Sequence, residues 1–173
     1  MNKASRSRTS SIAWLGILIA VQVVLARFTI GSNSLKVGFS FVVTGMIGYY
    51  FGPWKSALAG LVSDLIGNIV FPPQGGFFVG FTISAIVAGL IYGLVLYKKE
   101  ITWWRVLIAI VLVSLIVNLV LNTLWVNIMY PVPTKVLWAT RIWPRAIKEL
   151  IFIPFETIVL YIVLKWISKH NFD

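Results

Sequence analysis

The chain has 173 residues, 59% hydrophobic and 12% charged, and its fifteen Lys and Arg against five Asp and Glu give a formal net charge of +10. A mean hydropathy of +0.91, with about half the charged fraction of an ordinary soluble domain, excludes a globule built for water. Without cysteine there is no disulfide, thiolate metal site or cysteine nucleophile, and the lone histidine, His170, cannot make a zinc centre or a histidine-based triad.

In chain order, a basic tail over 1–10 carries Lys3, Arg6 and Arg8 ahead of the first apolar run. This resembles a secretory leader, but the run continues into Arg27 without a small-residue cleavage pattern and five more apolar stretches follow. A spanning helix needs roughly 20 mostly apolar residues, which predicts helices over about 11–30, 36–52, 54–71, 76–97, 103–129 and 138–168. Gly52-Pro53 separates the short second and third as an almost loopless turn. No internal repeat or low-complexity linker breaks the chain, so the expectation is all-α: a single transmembrane domain over 1–173, a bundle of six helices. A cytoplasmic N-terminus places nine of the fifteen basic residues inside, as the positive-inside rule favours, and puts both termini in the cytoplasm. The cations are thereby membrane-topology signals, and nucleic acid is not an expected partner.

The remaining cations, Arg27, Lys36, Lys135, Arg141, Arg145 and Lys148, fall at or near the outer ends of helices and are not explained by topology. An ionisable group at membrane depth costs several kcal/mol unless paired or wet, which makes each a candidate site residue. Arg141, Arg145 and Lys148 recur at i, i+4 and i+7, on one face of the last helix, with Glu149 and Glu156 following. An Arg145–Glu149 pair with Lys148 reaching the headgroups accounts for part of this; an anionic ligand accounts for the cations left over. Asp64 and Asn68, one turn apart, either pair with another helix or meet ligand N–H groups. Ser114, Asn118 and Asn122 either join helices or present a hydrogen-bonding edge, and near the outer end Asn122 and Trp125 suit a flat heterocycle. The outer connections around Phe28, around Gly75, Gly76 and Phe77, and over 130–134 have the small and rigid residues of a lid. Ala13, Gly16 and Ala20 form a stripe of small residues that admits a close helix partner, internal or from another subunit. No phosphate-binding G-x-x-x-x-G-K-[ST] loop occurs, so any ATP hydrolysis belongs to a partner.

Together these residues resemble a known family. The likeness lies in Val37-Gly-Phe39-Ser-Phe41, Phe51-Gly-Pro53 with the run through Asp64, Gly80-Phe-Thr82-Ile-Ser84 with Gly89-Leu-Ile-Tyr92-Gly93, Leu121-Asn-Thr-Leu-Trp125, and Arg141 through Glu156. The chain resembles the substrate-binding subunit, or S component, of energy-coupling-factor vitamin transporters, in particular the folate-specific branch. The resemblance implies a six-helix bundle in the bacterial plasma membrane, an outward pocket under loops, no catalytic activity and no cofactor. It further implies assembly with a transmembrane scaffold subunit and two ATPases, with a small-residue motif that maps onto Gly16 and Ala20, where the family usually has alanines. A folate ligand would place its carboxylates on some of Arg27, Lys36, Arg141 and Arg145, its rings against Trp125, Phe77 and Phe28, and its amino edge on Asp64. Competing readings are another vitamin or nucleobase-like cargo, a lipid-modifying membrane enzyme using Asp64 and Glu156 as acid and base, and a purely structural subunit.

Overall fold

The computed structural model describes residues 8–30, 37–72 and 76–169. These form five helical runs: α1 (Arg8–Leu25), α2 (Ser40–Val70), α3 (Val79–Leu96), α4 (Trp103–Met129) and α5 (Thr134–Lys169). A two-residue antiparallel pairing of β1 (Thr29–Ile30) with β2 (Val37–Gly38) lies between α1 and α2. α3, α4 and α5 are each long and apolar enough to cross a membrane.

The expected second and third helices are the two limbs of α2, joined at Gly52-Pro53 with almost no loop. Gly52 breaks the helical path of α2 at φ +80° and ψ −179°, backbone that only glycine adopts without strain, and Pro53 follows with no N–H to bond back across it. α1 also ends earlier than expected, at Leu25, so Arg27 sits in the connection that follows. α5 begins four residues before its expected start.

The second limb of α2 and α3 run antiparallel at backbone contact. Pro53 meets Gly93, Ser56 meets Gly89, Gly60 meets Ala85, and Asp64 bonds to Thr82. A Cβ on Gly60 or Gly89 would overlap the backbone carbonyl of Ala85 or Ser56. Small residues of this kind let helices approach in lipid, where apolar side chains gain nothing by leaving the solvent.

The main core joins α3, α4 and α5 through Tyr92, Leu96, Val106, Ile110, Leu160 and Leu164. Leu18, Val43, Ile47 and Ala59 seat α1 on both limbs of α2. Outward-facing residues are apolar as well: Ile12, Ile17 and Val24 on α1, and Leu150, Ile151, Phe155, Ile158 and Ile162 on α5, are exposed. A continuous apolar surface of this kind is at rest in hydrocarbon and a liability in water.

Candidate ligand-binding chamber

All five helical runs contribute to a chamber of about 310 Å³, within the range of small-molecule sites. Its wall comprises Gln22 from α1, Phe41 and Thr44 from α2, Phe81, Ser84 and Tyr92 from α3, Asn118 and Asn122 from α4, and Lys148 and Glu156 from α5. A second cavity of about 170 Å³ shares Gln22, Ser40 and Ala85 with it and is lined further by Arg27, Ser63, Asp64 and Asn68. Gln22 donates from Nε2 to Thr44 Oγ1 at 3.1 Å, which fixes the amide on the boundary between the two spaces.

Part of α4 around the chamber, Val113–Leu121, is wound as a π-helix, a rare geometry that concentrates at functional sites. Asn118 and Asn122 both reach the chamber from this stretch and its end. The Ser84 hydroxyl donates to Asn122 Oδ1 at 2.7 Å and accepts from Trp125 Nε1 at 3.1 Å. This relay orients the indole, whose ring also lies 6.0 Å from that of Phe78. Two candidate residues, Asn122 and Trp125, are thereby joined through a serine that the sequence offered only as part of the family motif.

Of the cationic stripe of α5, Arg141 and Arg145 bond to α4, while Lys148 lines the chamber. Arg141 donates from Nη1 to the Val126 carbonyl at 2.9 Å and to Asn127 Oδ1 at 3.4 Å, and from Nη2 to the Tyr130 carbonyl at 2.6 Å. It thus caps the C-terminal end of α4, where helix carbonyls lack intrahelical donors. Arg145 donates to Thr123 Oγ1 at 3.3 Å. Glu149 pairs with Lys148 at 2.7 Å and accepts from Asn118 at 3.1 Å, so the carboxylate expected for Arg145 belongs to Lys148.

Arg27 plays a similar part at α2. Its Nη2 donates to the Gly67 and Phe71 carbonyls at 2.7 and 2.9 Å, and the guanidinium lies 4.8 Å from the centre of the Phe71 ring. Unlike Arg141, it also lines the smaller cavity, as Asp64 does. The open question about Asp64 resolves toward internal donors: Oδ2 accepts from Thr82 at 2.6 Å and from Asn68 at 3.0 Å. Asp64 and Glu156 line different cavities, an arrangement that gives no shared acid–base pair.

Phe28 and Phe77 are exposed, and Gly76 adopts φ +79°. Lys36 and Gly75 lie outside the described residues. Ala13, Gly16 and Ala20 are exposed on α1, and a Cβ on Gly16 would meet nothing within 4 Å. No group of three or more His, Cys, Asp or Glu able to hold a metal occurs among the described residues.

Gln22 and Thr44 line the chamber without a place in the sequence reading, and Phe81 and Ser84 stood there only within the Gly80-Phe-Thr82-Ile-Ser84 motif, with no site role. Gln22 carried a usable signal, a polar amide inside an apolar run.

Residues 10–164 match the family model of the ECF transporter, substrate-specific component. The chain belongs to this family. Its members are substrate-binding components of membrane transporters rather than enzymes. Among curated relatives of this S component, the folate transporter FolT of Clostridium novyi is 34% identical over 163 residues, covering 94% of this chain and 92% of its own. The folate transporter FolT of Leuconostoc mesenteroides is 40% identical over 161 residues, covering 90% of this chain and 85% of its own. The crystal structure of FolT bound with folic acid superposes with a TM-score of 0.81 at 42% identity, covering 90% of this chain and 92% of the other.

Proposed function

We propose that this S component binds folate in the chamber and serves as the capture subunit of an ATP-driven importer. The observation that carries the reading is a wall that combines ring-stacking, amide and charged groups, within a fold shared with a FolT bound to folic acid. Folate is flat at its pterin and benzoyl rings and dianionic at its glutamate, so it needs aromatic and amide contacts at one end and cations at the other. Phe81, Trp125 and Asn122 supply the first; Arg27, Lys148 and Arg145, with Lys36, supply the second.

Counted by limbs, α2 contributes two helices to a single-domain bundle of six, with both termini in the cytoplasm of a bacterial cell and the chamber opening outward. Lys55, Lys98, Lys99 and Arg105 on the inner side support this orientation. Phe28, Gly76 and Phe77 belong to the loops over the mouth. A scaffold subunit and two ATPases carry out the ATP-dependent half of import, in keeping with the absence of a phosphate-binding loop here. The exposed Ala13, Gly16 and Ala20 form the face against which the scaffold packs.

Calorimetric titration of the purified chain with folate and with thiamine tests the ligand. Folate should bind and the cationic thiamine should not; a preference for thiamine would overturn the reading. The interface is tested separately by Gly16→Leu, which has open space around it in the isolated chain. This variant should fold and bind folate as the unaltered chain does, yet fail to co-purify with scaffold and ATPase subunits.

A further inference from the structure

Where α3 turns into α4, the surface carries an open groove of about 310 Å³ that shares no lining residue with the chamber. Its polar part is Lys99, Thr102 and Arg105, and its apolar part includes Leu94 and Ile108. No carboxylate answers the two cations. Through its side chain Lys99 reaches only the Leu94 carbonyl, at 3.4 Å, and Arg105 only the Glu100 carbonyl, from Nη1 at 2.7 Å. Neither is ion-paired among the described residues. An ammonium and a guanidinium each carry several N–H donors, so both retain donors for an anion.

The apolar part lies deeper in the membrane than the charged part. Leu94 precedes the end of α3, and Ile108 stands about 4.5 Å further along α4 than Arg105 at 1.5 Å per residue. Both side chains are exposed, on helices long and apolar enough to span the bilayer. Trp104, also exposed, lines the groove beside Arg105 and is of the residue type that gathers at the boundary between hydrocarbon and headgroups.

This division of the groove selects its occupant. A small free anion would use the cations and leave the apolar flank bare; an uncharged chain would do the reverse. A zwitterionic choline lipid brings an ammonium of its own to a wall that holds like charge and no carboxylate. Basic pockets between spanning helices suit headgroups of net negative charge. We propose that the groove holds one anionic phospholipid, with its phosphate at Lys99 and Arg105 and an acyl chain along Leu94 and Ile108. The site is independent of what the chamber takes.

The test is native mass spectrometry of the purified chain in detergent, supplied with equal amounts of phosphatidylglycerol and phosphatidylcholine carrying the same acyl chains. The unaltered chain should retain phosphatidylglycerol at least about tenfold over phosphatidylcholine, as two cations near a headgroup predict. Lys99→Gln removes an exposed charge and leaves the Arg105 bond in place; it should lower that preference at least about threefold. Ile108→Ser, with charge unaltered, should lower phosphatidylglycerol retention at least about threefold, a loss that diffuse attraction to basic residues would not produce. Lys55 is the control: it is exposed at the same end of the bundle, two residues after Pro53, which packs on Gly93. Lys55→Gln should leave the preference within about twofold of the unaltered chain. Equal retention of the two lipids by the unaltered chain would overturn the proposal, as would equal losses in Lys55→Gln and Lys99→Gln. Inorganic phosphate that raises the melting temperature as far as phosphatidylglycerol does would overturn it in favour of a free anion. Folate affinity, measured on the same samples, should be unchanged in all three variants, so failure of the lipid site and failure of the folate reading are told apart.

Discussion

Gly89→Leu is expected to yield no folded, ligand-competent protein. A Cβ at this position overlaps the Ser56 carbonyl, with the Ser56 carbonyl carbon and the Ala57 nitrogen close behind it. All three are backbone atoms, so no rotamer change relieves the overlap; α3 must separate from the second limb of α2. Overpacking usually costs about 1–3 kcal/mol when side chains can shift, and the cost here exceeds that because two helices must move. Separation would also pull Thr82 from Asp64 and displace Ser84, which holds Asn122 and Trp125. Size-exclusion chromatography in detergent should show aggregate in place of the single folded peak. A folded Gly89→Leu protein with unchanged folate affinity would refute the close antiparallel packing of α2 and α3.

Arg27→Ala should weaken folate binding by at least about thirtyfold, the equivalent of about 2 kcal/mol for a lost charged contact. The guanidinium closes the end of α2 by bonding the Gly67 and Phe71 carbonyls and at the same time places a cation on the cavity wall. A purely capping role would perturb every ligand alike. Contact with the glutamate tail predicts instead that a pterin fragment lacking the tail changes by less than about threefold. Arg27→Lys, which keeps the charge but loses the guanidinium whose Nη2 bonds both carbonyls, should fall between. Equal losses for folate and for the tailless fragment would assign Arg27 to capping alone.

The helices were legible because membrane spans are written in composition: each apolar run of sufficient length became a helix within a few residues. The Gly52-Pro53 break was legible as a break, but its form was not, since the dipeptide alone does not say whether the helical run resumes at once or after a loop. Arg141 marks the limit for the site. Its charge and position stood out, yet its partners at Val126 and Tyr130 are backbone carbonyls, groups that every residue carries and no sequence pattern announces. Arg27 escaped in the same way. Asp64 found a hydroxyl eighteen residues away across a helix pair, a contact that depends on register between helices and not on local spacing. Asn122 and Trp125 did come together, because both lie within one turn of the same helix; the serine that joins them comes from another.

Native mass spectrometry of the chain purified from cells grown with folate tests the central claim most directly. One folate should remain bound per chain through purification and should leave when the chain is denatured. A chain that retains no folate under these conditions, or that retains a cationic vitamin in its place, would contradict the account.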